Sequence, residues 1–440
     1  MTGTSTLYGR LFDAGEGARL FTDAAELRAM LLVEGALAQV QGRLGVIPET
    51  AGAAIHRASL EVTLDPAALA EPTRRNGVTV PGLVAAFREA MGAPEHAQYV
   101  HWGATSQDIQ DTALMLRLRQ ALTLAENALA KTAGALGALA EAHAETPMAA
   151  RTYGQVATPT SFGAVAAGWG WPLLDLVEEL GALRPRCLWV SLSGAAGTAA
   201  ALGAAAAETR AGLAAALGLE DPGRSWHADR GPVLRLAGWA ERLAAALGKF
   251  AEDLLLMTQS GLAELRLGET GGSSTMPQKA NPVGPSALFA LTRKARAEAA
   301  LLAQAGSPRQ NRDGAAWFTE WLALPELWRA TLAAAHGARE IAGTLAPDPG
   351  AMAAGLAASG GAPYAEALSF ALAGEMPRPE AQAEASRLAA EAAARGRPLA
   401  ELARGAHPGL DPALFTPARQ LGQAPAEARA FAAAVARRGA

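Results

Sequence analysis

One stretch gathers most of the chemistry this sequence offers: Gly271-Gly272-Ser273-Ser274-Thr275-Met276-Pro277-Gln278-Lys279-Ala280-Asn281-Pro282. Glycines let backbone approach a ligand, the Ser273 and Ser274 hydroxyls can give or take protons, and Lys279 and Asn281 can grip an anion. A helix starting just beyond adds positive potential at its N-terminus. Gly/Ser text often marks a flexible linker. A linker, however, has no need of Met-Pro-Gln-Lys-Ala-Asn in its middle.

Two other polar segments stand out. In His101-Trp102-Gly103-Ala104-Thr105-Ser106-Gln107-Asp108, the hydroxyls and Asp108 read by default as caps for the helix that follows, and a lone histidine is more often a satisfied core residue than a catalyst. Arg151-Thr152-Tyr153-Gly154-Gln155-Val156-Ala157-Thr158-Pro159-Thr160 reads, alone, as loop and cap. No HExxH occurs and the seven histidines are dispersed, so no metal is expected. Without GxGxxG opening a strand–turn–helix unit no dinucleotide is expected either, and the chemistry is read as free of cofactors. The single cysteine, Cys187, excludes an internal disulfide, a thiolate cage and a CxxC pair. Its neighbours Arg184 and Arg186 would favour the thiolate, but packing as a small apolar residue is the better reading.

The elements that must position these segments are helices. Residues 24–44 carry Leu27, Leu31, Leu37, Val40 and Leu44 at helical spacing, with Asp23 and Glu26 resembling a capping box and Gly45 and Pro48 as the stop. Residues 60–105 read as short elements and loops. The periodicity predicts long helices over 109–145 and from Pro232 through to Leu265, with others at 162–183, 196–217, 285–304 and 318–344. Stacked Ala-rich helices suggest a bundle. We expect three regions: a mainly helical N-terminal domain (1–107), a central long-helix bundle (108–345) and a small helical C-terminal domain (346–440). Across 440 residues, 38 Lys+Arg against 42 Asp+Glu leaves a formal charge of −4, which excludes an electrostatic nucleic-acid binder. With no secretory signal and no lipid-compatible span, a cytoplasmic protein that does not engage a membrane is expected. Apolar positions on more than one face of the bundle helices point to self-association.

Together the three polar segments resemble the signature regions of the fumarase/aspartase superfamily, which includes adenylosuccinate and argininosuccinate lyases and a bacterial lactonising enzyme. GSSTMPQKANP is the specific one, matching at nearly every position. The stretches LLVEGALAQVQGRLGVIP, YVHWGATSQDIQDTALML, SGAAGTAAALG, SWHADR and FTEWLALPE look most like the cycloisomerase branch, which lactonises a carboxylated muconate. The resemblance implies an all-α fold with an elongated central bundle of long helices flanked by two smaller, mainly helical domains. It also implies a homotetramer whose active sites are assembled from three chains, acting on a small tricarboxylate.

One departure bears on the substrate. Superfamily lyases usually carry Thr-His-Gly-Gln where this chain has Thr152-Tyr153-Gly154-Gln155. In the amine-eliminating members that histidine helps protonate the departing nitrogen, whereas a phenol with a pKa near 10 is a weak acid at neutral pH. A carboxylate is already stable as the anion. The expected reaction is therefore addition of a substrate carboxylate across a C=C bond to close a γ-lactone, in the protocatechuate branch of aromatic degradation. By the resemblance Ser273 is the proton-transferring serine, Lys279 and Asn281 stabilise developing charge, and His101 orients or binds substrate. Thr105, Ser106, Arg151, Tyr153, Gln155, Thr158, Ser274, Met276 and Arg312 are the implied substrate contacts. Ala280 stands where many relatives carry arginine. The competing expectations are an adenylosuccinate-type amine lyase and a catalytically silent tetrameric scaffold.

Overall fold

In the computed structural model, which describes residues 7–439, the chain forms two compact units. One takes residues up to Ala128 together with Leu176–Ala245 and Ala290–Gly337; the other takes Leu129–Asp175, Ala246–Phe289 and residues from Ala338 onward. The fold is all-α, as expected, with two small antiparallel strand pairs.

Helix α1 (Asp23–Arg43) begins one residue earlier than the periodicity suggested, and its cap is Thr22, whose hydroxyl accepts from the Ala25 N–H at 3.3 Å. The Asp23 capping box is thus replaced by a threonine cap. Small residues let α1 meet α2 (Glu49–Glu61) at close range: a Cβ on Gly52 would lie 2.6 Å from the Ala38 carbonyl oxygen. The stretch read as irregular contains three short helices, α3 (Pro66–Asn76), α4 (Val80–Met91) and α5 (Pro94–Ala97), each with proline in its first turn, where a missing N–H does no harm. The long α6 (Ser106–Ala142) follows.

The third polar segment is not a loop and cap. Strands β1 (Pro147–Thr152) and β2 (Gln155–Ser161) form a hairpin in which Thr152 pairs with Gln155 and Pro147 with Ser161. Its two-residue turn has φ of 52° at Tyr153 and 74° at Gly154. Two consecutive left-handed residues make the turn whose twist matches the flanking strands.

After α7 (Phe162–Cys187), the helix expected over 196–217 is broken. Only α8 (Ala206–Leu217) and a short 3₁₀ turn at Ala200–Ala205 form, because Gly194, Gly197, Ala199 and Gly203 all adopt positive φ. Helix α9 (Gly231–Met257) also ends before the expected Leu265. Gly261 at φ 93° and Ala263 at φ 49° turn the chain, and Leu265 enters β3 (Leu265–Arg266), opposite Pro347. Next come α10 (Val283–Ala303), α11 (Gly314–Thr344) and β4 (Ala346–Pro347). The remaining helices are α12 (Pro349–Ala357), α13 (Ala365–Leu372), α14 (Arg378–Arg395), α15 (Leu399–Ala406) and α16 (Ala424–Gly439).

Leucine and alanine dominate both cores. In the first unit the fully buried Trp239 and Trp328 stack with centroids 6.2 Å apart. In the second, Leu368, Leu372, Leu388 and Leu399 close a cluster among α13, α14 and α15. Among the described residues no helix is long and apolar enough to cross a membrane.

Candidate active site

The candidate residues fall in both units, and each unit holds its own set differently. In the first, the turn ahead of α6 is held from below. His101 sits at φ 67° with its Nδ1 2.6 Å from Glu34 Oε1, and the Trp102 carbonyl accepts from Gln41 Nε2 at 2.7 Å. Glu34 and Gln41 are both buried on α1, two turns apart on one face. Burial pulls the imidazole pKa down, but the Glu34 carboxylate, helped by Asp108 and opposed by Arg88, holds it above the ordinary value.

Asp108 is the centre of this floor. Its Oδ1 accepts the Ser193 N–H (2.8 Å) and the Ser191 hydroxyl (3.0 Å) and lies 2.7 Å from His227 Nε2. Its Oδ2 accepts the N–H groups of Thr105 (3.0 Å) and Gly194 (2.9 Å). Burial alone would raise the Asp108 pKa; His227 and the backbone donors outweigh it and hold the group ionised. One carboxylate thereby ties the start of α6 to the turn at 191–194. Below it, Arg230 is bidentate to Asp111 and also holds Glu320, all three buried. Thr105 and Ser106, at the head of α6, are half-buried. Arg312, in the loop before α11, is exposed and donates from Nε to Gln107 Oε1 at 2.9 Å.

In the second unit the hairpin projects Tyr153 fully into the open at its tip, with Gln155 exposed and Thr158 half-buried on β2. Arg151 is engaged within the protein: its two Nη groups reach Glu264 at 2.8 and 2.9 Å, a fork that anchors the hairpin. The stretch 271–282 is a loop closed at its neck by two backbone bonds between Gly271 and Asn281, 2.8 and 2.9 Å long. Asn281 Nδ2 braces the neck through the Gly272 carbonyl at 3.1 Å. Ser273 is half-buried, and its Oγ accepts the Met276 N–H at 3.1 Å and the Thr275 N–H at 3.4 Å. Donors aimed at the oxygen favour its anionic form, which a proton-transferring hydroxyl requires. Ser274, Met276 and Lys279 are exposed, and among the described residues the Lys279 ammonium has no hydrogen-bond partner.

Glu34, Gln41, Gln107 and His227 are supporting residues to which the sequence assigns no role, and Asp108, expected only as a helix cap, caps α6 through the Thr105 N–H and does more besides. A signal existed for the first two: polar residues seven apart, on one helical face, in the mostly apolar LLVEGALAQVQG. Cys187 is buried and its thiol pKa is pushed up by that burial despite Arg235 and Arg186, the behaviour of a packing residue. Among the described residues no three His, Cys, Asp or Glu side chains are grouped as a metal ion would require.

A family model described as lyase matches residues 16–296. The chain is 40% identical over 372 residues, 83% of its length and 81% of the relative's, to a 3-carboxy-cis,cis-muconate cycloisomerase of Pseudomonas aeruginosa. It is 38% identical over 394 residues, 87% of its length and 83% of the relative's, to a nitrosuccinate lyase of Streptomyces davaonensis. The fold matches the crystal structure of 3-carboxy-cis,cis-muconate lactonizing enzyme from Pseudomonas putida with a TM-score of 0.92 at 33% identity, covering 99% of this chain and 100% of that one.

Proposed function

We propose that this chain, which belongs to the lyase family, is a 3-carboxy-cis,cis-muconate cycloisomerase of the fumarase/aspartase superfamily. One substrate carboxylate oxygen adds to a C=C bond, the new C–O bond closing the ring while the π pair moves toward the carboxylate on the adjoining carbon. That leaves a dianionic aci-carboxylate, and the step ends when a proton reaches the α-carbon. Ser273 is the donor. Its Oγ then carries the negative charge, against the N–H groups of Met276 and Thr275. Lys279, Asn281 and Arg312 oppose the charge on the substrate, Thr105, Ser106, Gln155 and Thr158 hold the other carboxylates, and Ser274 and Met276 line the loop. His101, whose pKa the Glu34 carboxylate raises against the effect of burial, orients a carboxylate. Arg151 holds the hairpin through Glu264.

One observation carries the choice of substrate: the residue presented at the hairpin tip is Tyr153, in a turn whose geometry leaves the phenol exposed. A reaction that expels an amine needs a proton donor near neutrality, and a phenol supplies it poorly. Ring closure by a carboxylate needs none on the reacting oxygen; its one proton goes from Ser273 to the α-carbon. The test is the fall in ultraviolet absorbance of 3-carboxymuconate on adding the protein, beside adenylosuccinate assayed for AMP. The similarity to nitrosuccinate lyase supports a second reading, because nitrite is also a leaving group stable as an anion and Tyr153 does not discriminate against it. Nitrite release from nitrosuccinate exceeding turnover of the muconate would favour that reading.

The enzyme is further proposed to work in the cytoplasm as a homotetramer with sites shared between chains, in the protocatechuate pathway. Phe318 and Leu322, one turn apart on α11 and 43% and 71% exposed, support self-association. Light scattering that found an active monomer would remove the shared site. Because every charge stabiliser named is a side chain or an N–H, activity should survive exhaustive dialysis against EDTA. Loss restored by a divalent ion would overturn this mechanism.

A further inference from the structure

Gln107 lies in the first turn of α6 and is only 2% exposed, out of a ligand's reach. Its carboxamide is nonetheless fully engaged. The NH₂ donates to Asp111 Oδ2 at 3.2 Å and to the His227 carbonyl at 3.0 Å. A carbonyl accepts only, and both Asp111 oxygens already accept from Arg230, so the amide cannot be turned over without setting its oxygen against two acceptors. Its Oε1 is therefore obliged to face the remaining partner, the Nε–H of Arg312. Arg312 is exposed, and its two Nη groups have no partner among the described residues.

We infer that Gln107 is a positioning residue that acts through Arg312: by holding Nε, it sets the guanidinium plane so that the Nη pair meets a substrate carboxylate in bidentate fashion. An unrestrained surface arginine samples many rotamers, and binding must freeze them. The Nε bond removes part of that freedom before the ligand arrives. Charge alone would not be enough, because a lysine offers no planar fork and no Nε–H for Gln107 to hold. The orientation is referred to the buried Asp111–Arg230–Glu320 cluster, which gives the restraint a rigid base.

The inference rests on the reading of Arg312 as a carboxylate binder, and the experiment separates the two. Steady-state kinetics on 3-carboxy-cis,cis-muconate are compared for the wild type, Gln107→Met, Arg312→Lys, Arg312→Ala and the Gln107→Met/Arg312→Ala double variant. Losing a hydrogen bond to a charged group should raise KM in Gln107→Met roughly tenfold with kcat within about threefold. Arg312→Ala should raise KM at least as far, and the double variant should be no worse than Arg312→Ala alone. Arg312→Lys changes only an exposed side chain and keeps the charge, so it tests orientation even where Gln107→Met disturbs folding; its KM should lie near that of Arg312→Ala. Arg312→Ala with an unchanged KM takes down both readings. Arg312→Ala raising KM while Gln107→Met is silent or additive with it, or Arg312→Lys matching the wild type, overturns the role of Gln107 and leaves that of Arg312 standing.

Discussion

The floor around Asp108 and the loop at 271–282 hold candidate groups under opposite conditions. Around Asp108 all the hydrogen bonds but the one from Thr105 join residues far apart in the chain, and the carboxylate itself is fully buried with five donors on it. In the loop the bonds are local, and most of the candidate side chains stand in solvent. Buried polar groups define geometry because leaving any of them unpaired is costly. They cannot meet a substrate. A loop can meet it, but exposed charges act weakly until water is excluded. Orientation belongs to one region and reactivity to the other, and substitutions should divide the same way.

The largest effect is expected at Asp108. Asp108→Asn turns an amide NH₂ or a weaker acceptor toward backbone donors and removes the buried carboxylate that His227 meets, at a cost of about 3–5 kcal/mol in urea denaturation. Lys279→Ala in the loop should move stability by less than about 0.5 kcal/mol, the usual range for a surface change. Equal losses at the two sites would break the comparison. Ser273→Ala sharpens it from the other side: kcat should fall by at least about a hundredfold, the low end for positioned proton transfer, with the unfolding midpoint unmoved. Turnover near the wild-type rate would transfer the role to Ser274.

A smaller effect with a pH signature is expected at Glu34. The folded-state pKa of His101 is raised, so the stabilisation from the pair is complete below the unfolded value near 6.5 and fades as pH rises through the folded pKa. Glu34→Gln should therefore lose more stability at pH 6 than at pH 9, by about 1.5–3 kcal/mol at the lower pH for a buried bond to a charged group. A loss that grew toward alkaline pH would mean that Glu34 does not hold an imidazolium.

The two regions also differed in how far they could be read in advance. Uninterrupted helical spacing placed 109–145, 162–183 and 285–304 within a few residues of α6, α7 and α10. Breaks were harder, since nothing local announces positive φ at Ala199 or Ala263, nor at Tyr153 in a turn that usually advertises itself as Asn-Gly. The 271–282 loop announced itself because its residues are contiguous. The Asp108 floor did not, because its partners lie 67 residues apart for Glu34 and His101, 119 for Asp108 and His227, and 205 for Gln107 and Arg312. Only folding assembles them.

The smallest effect is expected at Tyr153, where it decides the most. The phenol stands at a turn tip with its side chain exposed, so Tyr153→Phe removes a hydroxyl without opening a cavity, and stability should change little. If the reacting carboxylate needs no proton, the ring serves as a wall and Tyr153→Phe retains most of the lactonising activity. Removing a general acid would instead lower the rate by about 10²–10⁴. A loss of that size with unchanged KM would make the phenol an acid–base group, returning the amine lyases to contention. Tyr153→His is the complementary variant, restoring the residue that amine-eliminating relatives use. Should it gain adenylosuccinate cleavage while Tyr153→Phe stays active on the muconate, the tip residue sets the leaving group and the buried floor serves either chemistry.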